Sequence, residues 1–293
     1  MTQPQPAPYT QRRVLLQAAG VAHAKPLFIF PGVNGEPQGF TDLASRLGHE
    51  RAVYGFHLVG SQRECEPVRQ MGRLAQLYAA EIRGTQPRGP YFLFGYSFGG
   101  AVAFEAAREL LSHGERVGLV VMADCPTPGY PKPAPALSRA RIHVQNLLKL
   151  SGEERGAYLR DRVENLAGRL LRLAGANPEK EEAGAPPHME RVNAALREAY
   201  ENYTPAPLSV DVLFLTADSP PDWPATVFDD PLMGWGPILR GRISQCGVPG
   251  EHLSIFAPEH INALAARVRS ALTQAEHNDA LRTLPPQAPV KVS

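Results

Sequence analysis

The 293-residue chain carries 30 basic and 29 acidic side chains, and a formal charge of +1 gives a polyanion nothing to bind, so nucleic acid is not an expected partner. Three cysteines, Cys65, Cys125 and Cys246, far apart and without metal-ligand spacing, predict reduced thiols in a cytoplasmic protein and neither a disulfide scaffold nor a metal site. The opening residues hold prolines and no apolar run, and no stretch reaches membrane-spanning length, so neither a secretory signal nor a membrane partner is expected.

Residues 1–13 read as a flexible lead-in and residues 14–17 as a short edge strand. Residues 26–30 form a compact apolar strand that breaks at Pro31-Gly32-Val33-Asn34-Gly35, a loop whose glycines let the backbone approach a ligand closely. A short helix over 40–47, a strand over 52–58 and a longer helix over 67–83 follow, the last with Met71, Leu74, Leu77, Tyr78 and Ile82 on one side. Gly89-Pro90 then breaks the chain before a buried-type strand over 91–96.

That strand runs into Gly95-Tyr96-Ser97-Phe98-Gly99, the Gly-x-Ser-x-Gly pattern of a nucleophile elbow. Strand and helix nearly touch at such a turn, so the positions two before and two after the serine must lack bulk, and Gly95 and Gly99 do. The turn lifts the Ser97 hydroxyl above the strand end. It also leaves the Phe98 amide at a helix N-terminus, where unpaired N–H groups bind an anion. In an elbow of this kind the loop after the first core strand supplies the second amide of the oxyanion hole, and Val33 is the expected donor. A helix over 101–113 closes at Gly114, and a strand over 117–123 ends at Asp124.

The order β, α, β, α, β, α implies a parallel sheet with right-handed crossovers. Strand rhythm stops between 126 and 206, where helical periodicity over 137–150, 153–174 and 188–203 predicts a helical lid inserted between core strands. Strands resume over 210–217 and 242–248, followed by Pro249-Gly250-Glu251-His252, a helix over 259–272, and a polar, Pro-rich tail over 275–293. The core is therefore assigned to 14–125 and 207–274. Trp223 and Trp235, between the last two strands, are expected to pack in the core.

A serine hydroxyl needs a base, and the base an acceptor that fixes its tautomer. Among the nine histidines, His252 lies just past the last strand, on the rim where Ser97 emerges; the others precede the nucleophile, sit in helices or fall in the tail. Two aspartates end strands on that rim, Asp124 and Asp218, and position alone leaves the choice open.

The segments 26–35, 89–100 with Ala103-Phe104-Glu105-Ala106-Ala107, 120–124 and 248–252 together resemble the chain-terminating thioesterases of nonribosomal peptide and polyketide synthases, over residues 14–273. The resemblance implies an α/β-hydrolase fold with a mostly parallel sheet. It also implies an acyl or peptidyl thioester carried on the 4'-phosphopantetheine of a partner carrier protein, with no cofactor of the enzyme's own. In these thioesterases the acid follows the strand after the elbow, which selects Asp124; stand-alone editing thioesterases place it where Asp218 stands. Many members carry a histidine before the oxyanion loop, whereas this chain has Phe30, so no polar role is expected there. A generic carboxylesterase or lipase would share the triad, and a non-catalytic binding protein could share the fold.

Overall fold

A computed structural model describes residues 13–20, 24–33, 35–61, 66–133, 187–219, 226–227 and 229–283. The helices predicted over 137–150 and 153–174, and Trp223, lie outside the described residues.

The apolar runs become strands: β1 (Arg13–Gln17), β2 (Leu27–Phe30), β3 (Val53–Phe56), β4 (Tyr91–Tyr96) and β5 (Val117–Ala123). Beyond the insertion come β7 (Val212–Ala217) and β9 (Ile243–Val248). They join in the order β1-β3-β2-β4-β5-β7-β9. Every pairing is parallel except β1 with β3. A separate two-stranded ribbon, β6 (Lys132–Pro133) with β8 (Thr226–Val227), is absent from the sequence reading because two-residue strands carry no periodicity.

Alternation along β4 splits the core in two. Tyr91 and Leu93 face α2 (Met71–Thr85), α3 (Phe98–Ser112) and α4 (Pro187–Glu201), while Phe92 and Phe94 face α1 (Thr41–Arg46) and α5 (Ile261–Thr283). With both faces covered, the central strands are apolar on both sides, as parallel sheets require. α4 corresponds to the last predicted helix of the insertion. Among the described residues, no helix is long and apolar enough to cross a membrane.

The tail is a correction. The chain was expected to leave the core after Gln274, but α5 continues to Thr283, with Leu272 and Ala275 buried. Polar composition misled the reading, because those polar groups have distant partners. Glu276 accepts two hydrogen bonds at 3.0 Å from Arg51, and Arg116 reaches Asp279 at 2.6 Å. Arg51 is almost fully buried, its guanidinium lying 5.7 Å from the Phe92 ring centroid. Glu276→Gln strands that charge, and we expect a loss of about 2–4 kcal/mol, read as a lower urea midpoint at unchanged m-value.

Candidate active site

The site forms on the C-terminal edge of the sheet, where β4, β5 and β7 each hand their first loop amide to the neighbouring strand. The Ser97 N–H donates to Ala123 O at 2.9 Å, the Asp124 N–H to Leu215 O at 2.7 Å, and the Asp218 N–H to Val248 O at 2.9 Å. Ser97 and Asp124 are thus adjacent steps on one rim. Both hold a left-handed backbone, φ 53° and 46°, a conformation that non-glycine residues keep only when surrounding packing enforces it.

Packing of that kind is visible at the elbow. A Cβ on Gly95 would stand 2.0 Å from Gly99 O, and one on Gly99 would stand 2.2 Å from Phe30 O, so β4, α3 and the end of β2 meet backbone to backbone. Gly100 leaves room in the same way for the buried Cys125, whose thiol burial pushes well up; it is packing, not a rival nucleophile. Trp235 is fully buried, as expected, and its indole donates to Cys125 O at 2.7 Å, bracing the turn that carries Asp124.

His252 meets Asp124 directly. Its Nδ1 donates to Asp124 Oδ2 at 2.6 Å, and the other carboxylate oxygen accepts the Ala217 N–H at 2.9 Å. The Asp124 side chain is 4% exposed and that of His252 is 19% exposed, so the pair is largely shielded from water. A proton on Nδ1 places the lone pair on Nε2, the tautomer a general base needs. Asp218 takes no part: its carboxylate lies over Gly247, where an added Cβ would stand 2.0 Å from Oδ1.

Between Ser97 and His252 themselves, no hydrogen bond is formed in this conformation; Tyr96 connects them. Its ring stacks on the imidazole, and its hydroxyl donates to His252 O at 2.6 Å. The position between the first glycine and the serine carries no such signal in sequence. The loop after β2 passes close to Ser97, since a Cβ on Gly32 would touch the Ser97 Cβ at 3.4 Å. Val33 follows in a turn closed by the Gly35 N–H to Gly32 O bond, and Phe98 is the first residue of α3. Phe30 is buried against Phe56 and Tyr78, an apolar role as expected.

Sequence reading also missed Tyr200 of α4, whose ring meets Phe98 edge-on and whose hydroxyl donates to Pro126 O, tying the insertion to the elbow. Among the described residues, no group of three or more His, Cys, Asp or Glu side chains converges as metal ligands would.

The thioesterase-domain family model matches residues 25–272. The chain belongs to that family. This thioesterase is 29% identical over 262 residues to an inactive atromentin synthetase of Paxillus involutus, an alignment covering 84% of this chain and 27% of the relative. A non-reducing polyketide synthase of Cladonia metacorallifera is likewise 29% identical, over 90% of this chain and 13% of its own length. The thioesterase therefore spans about a quarter or less of these relatives.

Among solved structures, it resembles a four-domain nonribosomal peptide synthetase at a TM-score of 0.61 and 23% identity, covering 93% of this chain and 20% of that one. The type II thioesterase BorB of the borrelidin biosynthetic cluster superposes at 0.60 and 21% identity, covering 92% and 98%. The fold is that of the α/β-hydrolases, and the expected fold class and enzyme class both hold.

Proposed function

We propose that the thioesterase releases an acyl, polyketide or peptidyl chain from the phosphopantetheine arm of a carrier protein, by way of an ester on Ser97. The observation that carries this is the 2.6 Å bond from His252 to a buried Asp124, one rim step from the serine. Ser97 Oγ attacks the thioester carbonyl as its proton passes to His252 Nε2, and the amides of Val33 and Phe98 receive the oxyanion. Collapse breaks the C–S bond, and the departing thiolate takes the proton from the imidazolium. Water, or a hydroxyl or amine of the chain itself, then attacks the ester through the same base. An acid, ester or ring leaves, and Ser97 regains its proton.

The carrier arm is the source the family's synthase relatives favour, because their thioesterase segments belong to much longer polypeptides. Exclusion of water from the ester, with the chain held in place, would favour an internal nucleophile. Stand-alone editing, with Asp218 as the acid, is the weaker reading because His252 is already engaged by Asp124.

The test is intact-mass spectrometry after exposure to a panel of acyl-pantetheine thioesters. We expect an increment equal to one acyl group, mapped to Ser97 by digestion. A protein that forms no adduct with any member, and that a fluorophosphonate also leaves unlabelled, would overturn the proposal.

A further inference from the structure

His252 lies in an irregular segment, 249–260, between β9 and α5, and a general base on such a loop needs its backbone held as well as its ring. Asp124 holds the ring through Nδ1. The backbone carbonyl of the same residue is taken by a different group, the Tyr96 hydroxyl, at 2.6 Å. The Tyr96 ring lies nearly flat on the imidazole, with centroids 5.0 Å apart and planes 30° apart. One side chain therefore grips both ends of the histidine, and it belongs to the residue immediately before the nucleophile.

The grip is itself anchored. Tyr96 meets Phe256 edge-on at 4.9 Å, Phe256 meets Phe40 at 5.2 Å, and Phe40 meets Phe94 at 6.2 Å. Phe94 and Tyr96 are alternate residues of β4, on one face of the sheet. The aromatic column thus leaves β4, crosses the single helical turn Pro37–Phe40 that precedes α1, passes through the histidine loop and returns to β4. On the other side, Gly32 of the loop after β2 lies against the Tyr96 ring, an added Cβ there falling at an ordinary contact distance of 3.5 Å. Burial, with help from the Asp124 charge, pushes the phenol well above its ordinary range, so it stays a donor at any working pH.

We propose that Tyr96 is a positioning residue for His252: its hydroxyl fixes the loop carbonyl and its ring fixes the plane of the imidazole, holding the Asp124-paired base on the rim that carries the serine. The assignment rests on the acyl-enzyme reading above, and it goes beyond that reading by making the residue before the nucleophile part of the machinery. The electron-rich face of the tyrosine also lies where an imidazolium forms during attack, an arrangement that favours the charged ring.

The test compares Tyr96→Phe and Tyr96→Leu in the full chain. Removing one hydrogen bond lowers kcat, and the rate of Ser97 phosphonylation by a fluorophosphonate, about tenfold in Tyr96→Phe. Losing the ring as well lowers both about a hundredfold in Tyr96→Leu, with KM within about twofold in each case, because neither change touches the bound chain uniformly. Proton NMR supplies a readout that a purely structural role would not move. The far-downfield signal of the His252 Nδ1–H, visible in the parent protein and absent from Asp124→Asn, broadens in Tyr96→Leu at temperatures where circular dichroism shows the fold intact, and is retained in Tyr96→Phe.

A Tyr96→Leu protein with parental kcat, phosphonylation rate and imidazole signal would overturn the clamp. So would losses that merely follow unfolding. Either result leaves the parent's own labelling at Ser97 untouched, whereas a parent that forms no Ser97 adduct fails the acyl-enzyme reading first.

Discussion

Replacing Ser97 by alanine is expected to lower kcat for thioester release by a factor on the order of 10⁵, with KM for an acyl-pantetheine substrate little changed. The change removes one oxygen from a turn whose backbone is fixed by contacts that do not involve it: Gly95 against Gly99 O, Gly99 against Phe30 O, and the residue's own amide on Ala123 O. The elbow therefore survives, and with it the amides that would stabilise any tetrahedral species. Residual turnover should come from direct attack by water on the thioester carbonyl held at those amides, with the pantetheine thiol leaving. Because serine and histidine act as a unit, Ser97→Ala combined with His252→Ala should be no slower than either single variant. The measurement is thiol release under single-turnover conditions, followed with a thiol-reactive chromogen. Parental rates in Ser97→Ala would end the acyl-enzyme mechanism.

The second large effect separates the two aspartates. Asp124→Asn should cost about 10⁴ in kcat, because an amide in place of Oδ2 can offer the imidazole an N–H, which favours the wrong tautomer and leaves the imidazolium without its counter-charge. The carboxylate is nearly enclosed and its other oxygen already accepts the Ala217 N–H, so no water can readily substitute. Asp218→Asn should stay within about threefold of the parent, since the surroundings of that carboxylate are the backbone at Gly247 and not the imidazole. Steady-state kinetics on the two variants in parallel decides the matter. The opposite pattern, a dead Asp218→Asn and an active Asp124→Asn, would mean that catalysis uses the acid position of editing thioesterases.

Much of this molecule is written locally. The elbow is legible because its demand is steric and short in range: Gly95, Ser97 and Gly99 lie within one turn of chain, and no side chain fits where the glycines stand. The strands at 91–96 and 117–123 match their predicted bounds, since apolar runs punctuated by Gly-Pro and by aspartate need no knowledge of their neighbours. His252 is singled out by chain order and its place past the last strand, and the fold sets it beside Asp124.

What tertiary structure decided is everything that joins residues far apart. Asp124 and Asp218 occupy equivalent strand ends, and their spacing could not rank them; resemblance favoured Asp124, and the 2.6 Å bond from His252 now joins the two across 128 positions. Tyr96 reads as one more apolar residue of a buried strand until the fold lays it against a histidine 156 positions away. The end of α5 was misplaced for the same reason, because its polar residues find Arg51 and Arg116 only after the sheet has closed. Steric rules act between chain neighbours and can be read in order, whereas hydrogen bonds and ion pairs depend on which surfaces the folded sheet brings face to face.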